Sequence, residues 1–415
     1  MRFAAAGVLA CTLAFVPRPA AAYSVLGHQA IVDAMWEPVI TPLLRDRFPS
    51  LTAEQLRSAR AHAYGGSVVQ DLGYYPFGNR LFTNIVHYVR SGDFVEALIR
   101  EARDPNEFAF ALGALAHYAA DTVGHPRAVN RAVALMYPKM RAKYGNAVTY
   151  AQSPKRHIMV EFAFDVVHAA AGAYLPTSYQ DFIGFEVSKP VLERAFRTTY
   201  GFELKDLFVD LDLAIGTYRY AVSTVVPEVT RVAWREKRKE IEARTPNVNR
   251  DAFVFSYTRQ QYEERFGTRY RRPGFLTRFL GFLFKLLPKI GPLRPLGFEA
   301  PTPEAERLFA DSFSATRERY RAALAAVSAR RLQLVNTDFD TGKTPRHGDN
   351  ALADETYEDL LDKLTEDESE QVSKPLIHAF ERFYADYDPA RQTSRKDRKR
   401  AVQVQARLVR LGVGR

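Results

Sequence analysis

The sequence predicts an all-α protein. Apolar residues recur at helical spacing through most of the chain, helix caps are frequent, and alternating strand patterns are scarce. Thr52 with Gln55 forms a capping box, which starts a helix there. Asp104-Pro105-Asn106-Glu107 supplies an N-cap, a first-turn proline and an acidic third position, and opens a helix through about Val123. Ser153-Pro154 opens another to about Gly172, and Thr302-Pro303-Glu304 a long one to about Leu334.

The chain has 415 residues, 47% hydrophobic and 26% charged, which is ordinary globular composition for one large domain or two smaller ones. Net charge is +10 and the isoelectric point about 9.5, so anionic partners are favoured: nucleic acid, phospholipid head groups or an acidic envelope. Part of that charge is a basic tail containing Arg391, Arg395, Lys396, Arg398, Lys399, Arg400, Arg407 and Arg410.

Residues 1–22 read as a secretory signal peptide. Arg2 is the positive n-region, Phe3 to Val16 is apolar but short for a membrane span, and Ala20-Ala21-Ala22 is a small-residue cleavage site. Val8-Leu9-Ala10-Cys11 also bears some likeness to a lipoprotein site. Cleavage after Ala22 makes Tyr23 the first mature residue, removes the single cysteine, and places the protein in a secreted or periplasmic setting without disulfides or thiolate metal ligands. Residues 23–175 hold seven of the nine histidines and form the expected core. Residues 176–415 form a helical extension, either a second lobe or a segment wrapped on the first.

Within that core the pattern is Tyr23-x4-His28, then Asp71, His87, His117-x3-Asp121-x3-His125, and His157-x3-Glu161. Imidazole nitrogen and carboxylate oxygen are the donors that zinc accepts in a chain without thiolates. Helical i, i+4 spacing places two such groups on one face, about 40° apart. His125 then lies roughly 80° around from His117, too far to share one ion easily, while Asp121 between them can bridge two. His157 and Glu161 form a second such pair on another helix. Asp165, one turn on, is placed to orient a ligand histidine. His62 and His168 fit no spacing rule, and His347 and His378 read as surface residues.

These residues resemble the zinc-dependent phospholipase C family, whose relatives include the single-strand-specific zinc nucleases. The resemblance covers about residues 23–175. It implies a multi-helix bundle holding three Zn2+ ions. Tyr23 (through its backbone), His28 and Asp121 hold one; Asp71, His87, His117 and Asp121 a second paired with it; His125, His157 and Glu161 the third. Four departures stand out. Tyr23 replaces an N-terminal Trp, His125 follows Asp121 by only four residues with Pro126 after it, Glu161 is the phospholipase-like choice over Asp, and the nuclease Gly-Gly-Asn segment is absent.

The implied activity is hydrolysis of phospholipids as a secreted zinc-dependent phosphodiesterase. A metal-bridging hydroxide attacks phosphorus in line, with Asp71 as ligand, general base or both. Tyr74 and Tyr75 are candidates for head-group contact or packing aromatics. The basic, Phe/Leu-rich segment 273–298 can lie on a membrane surface or pack on the core. Two alternatives remain: a single-strand nuclease or nucleotidase, which the Tyr23–His28 opening favours, and a non-catalytic zinc- or lipid-binding envelope protein.

Overall fold

A computed structural model describes residues 24–170, 185–222, 299, 301–366, 372–387 and 395–413, except for the side chains of 166–170 and 395–397. The expected signal peptide 1–22, Tyr23 and the segment 273–298 lie outside the described residues. Among those described there are helices and turns and no strand, as the capping and periodicity predict.

The helices that build the site come first along the chain. They are α1 (Val25–Met35), α2 (Thr41–Arg47), α3 (Ala53–Val69), α4 (Arg80–Tyr88), α5 (Ser91–Glu101), α6 (Pro105–Gly124), α7 (Asn130–Met136), α8 (Pro138–Tyr144) and α9 (Pro154–Ala170). After them come α10 (Lys189–Tyr200), α11 (Leu211–Tyr220), α12 (Pro303–Ser328), α13 (Ala351–Glu366), α14 (Lys374–Phe383) and α15 (Arg395–Arg410).

α6 is the axis of the bundle. Its sequence is apolar on every side, and every residue from Glu107 to Gly124 is buried, as expected of a helix surrounded by others. Asp104 caps it by accepting from the amides of Asn106 and Glu107. α1, α3, α5 and α12 all pack against it. α3 lies closest, because glycines leave room for backbone on backbone: a Cβ on Gly66 would fall 1.8 Å from Phe110 O, and one on Gly113 1.9 Å from Ala63 O. Thr52 and Gln55 complete the predicted box at the start of α3. Burial of α6 aromatics such as Phe108 and Phe110 contributes about 1.5–3 kcal/mol each.

One element differs from expectation. The helix opened by Thr302 ends at Ser328, short of Leu334. Arg330 takes a left-handed φ of 53°, and Arg331 N donates back to Ala326 O, which closes the helix end. The following residues have no regular structure and run along α5 as a strap. Within the later part, α12 packs on α6, α13 on α4, and α15 on α13. No helix among the described residues is long and apolar enough to cross a membrane.

Candidate metal centre

The expected donors converge from separate elements. α1 brings His28, the turn after α3 brings Asp71, α4 brings His87, α6 brings His117 and Asp121, and α9 brings His157 and Glu161. The α-helix of α6 stops at Gly124, so His125 opens a π-helical turn, His125–Val129, rather than extending the same row. Pro126 lacks an N–H and cannot continue the α ladder, and the wider turn carries His125 toward α9.

Three groups result whose donor atoms all lie within 4.8 Å of one another: His28, His117 and Asp121; Asp71, His87 and His117; and His125, His157 and Glu161. His117 belongs to the first two groups, and Asp121 sits among four imidazoles. The Asp121 carboxylate is 3.5 Å from His28 Nε2, 3.6 Å from His87 Nε2, 3.2 Å from His117 Nε2 and 3.7 Å from His125 Nε2. Two ligands of one tetrahedral zinc, each about 2.0–2.1 Å from the ion, stand about 3.3 Å apart. The donor set and its spacing therefore fit zinc. The rings of His28 and His117 stack at 4.3 Å and 13°, and those of His125 and His157 at 5.1 Å and 18°.

Three of the rings are held from their far side. His87 Nδ1 donates to Thr83 O at 2.8 Å and His117 Nδ1 to Ser67 O at 2.9 Å, which turns both Nε2 atoms toward the cluster. Asn130 Nδ2 donates to Asp340 O, so Asn130 Oδ1 is the end that accepts from His157 Nε2, at 2.7 Å. His157 Nδ1 is left facing Glu161 Oε1 at 2.9 Å. Asp165 accepts from the amides of Leu26 and Gly27 at 3.0 and 3.1 Å, which anchors the first turn of α1 just before His28.

Burial opposes charge throughout the cluster, and the neighbours decide which groups keep it. For His87 burial lowers the pKa, but hydrogen bonds to Asp121 and Asp71 outweigh this and raise it to about 9. Burial would raise Asp121, yet His117 and its hydrogen-bonding imidazoles hold it well below the usual carboxylate range. Burial, helped by His125, pushes His157 down to about 3, and burial with His117 lowers His28. Burial raises Asp71. Such opposed shifts among neighbouring groups are characteristic of functional sites.

Every one of these donors is buried. His28, His117, Asp121 and His157 are 0% exposed, whereas Asp71, His87 and His125 are each 4% exposed. Beside the cluster stand Tyr74 and Tyr150, whose rings are 5.8 Å apart, with Tyr74 6.4 Å from His87. Tyr75 instead stacks on Tyr218 at 3.7 Å and is a packing residue.

The other histidines stand apart. His62 Nδ1 bonds to Ser58 O, one turn back on its own helix. His378 is exposed and pairs with Glu381. His347, expected on the surface, is half-buried against Tyr387, with ring centres 4.4 Å apart. The side chain of His168 lies outside the described residues. Sequence reasoning missed Asn130, Phe339 and Asp340. An Asn one turn past His125 was a legible hint, whereas Asp338-Phe339-Asp340-x-Gly342 reads only as a turn.

Buried imidazole and carboxylate donors grouped in an all-α bundle support a zinc site. Residues 27–208 match the family described as zinc dependent phospholipase C, the family that the donor pattern resembles. No curated protein and no solved structure matches the chain.

Proposed function

We propose that the protein is a secreted phosphodiesterase of the phospholipase C type, acting on phospholipids at a trinuclear zinc centre. The observation that carries the proposal is the junction of three donor groups through His117 and Asp121, inside the family-matched segment. The third group adjoins them through the contact of His125 with Asp121.

Zinc, when bound, supplies Lewis-acid charge for phosphoryl oxygens and lowers the pKa of water. The chain's residues do the rest. Asp121 holds His28, His87, His117 and His125 around one anionic centre. Asp71, buried and 3.4 Å from His87 Nε2, takes a proton from the attacking water as general base. Tyr74 and Tyr150, beside the cluster, orient the incoming ester. Three carboxylates, Asp71, Asp121 and Glu161, leave the metal-loaded site net positive, which draws an anionic diester. The basic composition adds a long-range attraction to anionic lipid surfaces, and the 273–298 segment is a second candidate for that contact.

The decisive experiment compares zinc-loaded protein on phosphatidylcholine vesicles and on single-stranded DNA, each with an EDTA control. EDTA-sensitive release of phosphorylated head group supports the proposal. Cleavage of DNA alone replaces it with the nuclease reading, and no hydrolysis of either leaves a zinc- or lipid-binding role.

A further inference from the structure

The strap from Leu334 to Asn350 lies far beyond both the family-matched segment and the expected core of 23–175, yet it is built into the metal centre. It is pinned to α5 at its start. Ser91 Oγ donates to Thr337 O at 2.7 Å and accepts from Thr337 N at 3.0 Å, while Asn336 Oδ1 accepts from Asp93 N. Tyr118 of α6 donates to Val335 O at 2.8 Å. The strap then reaches the ligand helices. Phe339 N donates to His87 O, and the buried Phe339 ring lies 5.0 Å from His87 and 5.9 Å from His117.

Asp340 follows, buried and fully engaged. Its Oδ1 accepts from Tyr150 N at 2.9 Å, and its Oδ2 from Ala151 N at 3.3 Å. Its carbonyl accepts from Asn130, the residue that holds His157. Oδ1 also faces His125 Nδ1 at 4.0 Å, on the ring edge opposite Asp121. The turn that presents Asp340 is closed from within. Asp338 accepts from the amides of Asp340 and Thr341 and from Asn350 Nδ2. Gly342, at a φ of 72°, lets the turn close against Pro126, where a Cβ would fall 2.9 Å from the proline ring.

We infer that Asp340 is a positioning residue for the His125–His157–Glu161 group, so that the C-terminal strap completes the third metal site. A carboxylate behind a ligand histidine fixes ring orientation and raises its basicity. Asp340 does this for His125 by charge at close range, beyond hydrogen-bond distance. Its backbone carbonyl, set by the same turn, holds the Asn130 that holds His157. Its carboxylate also ties down the Tyr150–Ala151 backbone that leads into α9. The inference rests on the trinuclear reading above, and its test separates the two.

The test is metal analysis and cobalt(II) spectroscopy of the full mature protein, with amide hydrogen exchange at Tyr150 and Ala151. Wild type is expected to retain three zinc ions after dialysis. Asp340→Asn is expected to retain two, with affinity for the third reduced about 10- to 100-fold, a typical loss for such a partner. One tetrahedral contribution should leave the cobalt spectrum, and the Tyr150 and Ala151 amides should exchange faster. Asn350→Ala, which loosens the turn without touching a donor, should weaken the same ion. Three zinc ions and an unchanged cobalt spectrum in Asp340→Asn overturn the inference. If wild type itself holds fewer than three ions, the trinuclear reading fails. Exchange at Tyr150 and Ala151 then decides alone, and unchanged protection in Asp340→Asn overturns the strap's role.

Discussion

Replacing Gly113 with Ala tests the dependence of the site on the α3–α6 contact. The added Cβ would stand 1.9 Å from Ala63 O, about 1.5 Å short of an ordinary 3.4 Å contact. The obstacle is backbone in the middle of a helix, which cannot rotate away, so the two helices must separate. Overpacking of this kind costs about 1–3 kcal/mol where side chains can yield, and the upper end applies here. For a chain of this length, about 3 kcal/mol lowers the melting temperature by roughly 4 °C. The functional loss should be larger. α3 leads directly into Asp71 and supplies the Ser67 carbonyl that orients His117, while α6 carries His117 and Asp121. A separation on the order of 1 Å at a reacting site costs about 100-fold in rate. Calorimetric melting, zinc content and vesicle hydrolysis check this together. A Gly113→Ala protein with wild-type melting and full zinc content would refute the reasoning.

Four further outcomes follow from the same geometry. Asp121→Asn should lose the two ions nearest His28 and His87 along with activity, because an amide cannot supply an anionic bridge; an active variant with full metal content refutes the bridge. Asp165→Asn should leave one α1 amide facing an NH2 group and cost about 1–2 kcal/mol, with weaker binding of the ion next to His28; unchanged stability and zinc affinity would count against the anchor. His87, with its pKa raised to about 9 from 6.5, holds a proton at pH 7 in the metal-free protein. That stabilisation of the metal-free fold is complete below about 6.5 and lost as pH rises through 9. Zinc must displace the proton, so calorimetry in two buffers at pH 7 should show proton release, and affinity should fall from pH 9 to 6.5; equal heats in both buffers would contradict this. One residue added before Tyr23 should remove a chelating amine and lower activity without unfolding; full activity would exclude Tyr23 as a ligand.

Helix starts and the i, i+4 donor pairs were legible because both are local. A cap is a bond between residues three apart, and four residues make one turn of a single helix. The His117–Asp121 and His157–Glu161 pairs accordingly lie 3.2 and 2.9 Å apart. His125 was less legible, since Pro126 converts the next turn to a wider one and changes the face it presents. The end of α12 was missed because Arg330 adopts a left-handed conformation that no glycine announces.

The sequence by itself determined the fold class, the chemistry of the donors and the resemblance to the zinc-dependent phospholipase C family, because residue type and helical period are properties of short stretches. Only the tertiary structure decided that His117 is shared between two donor groups and that Asp165 anchors α1. It also decided that Asp340 backs a site whose Asn130 lies 210 residues earlier in the chain. Such pairings depend on how distant segments pack, and on where glycines at 66, 113 and 342 let backbone approach; no local pattern encodes either.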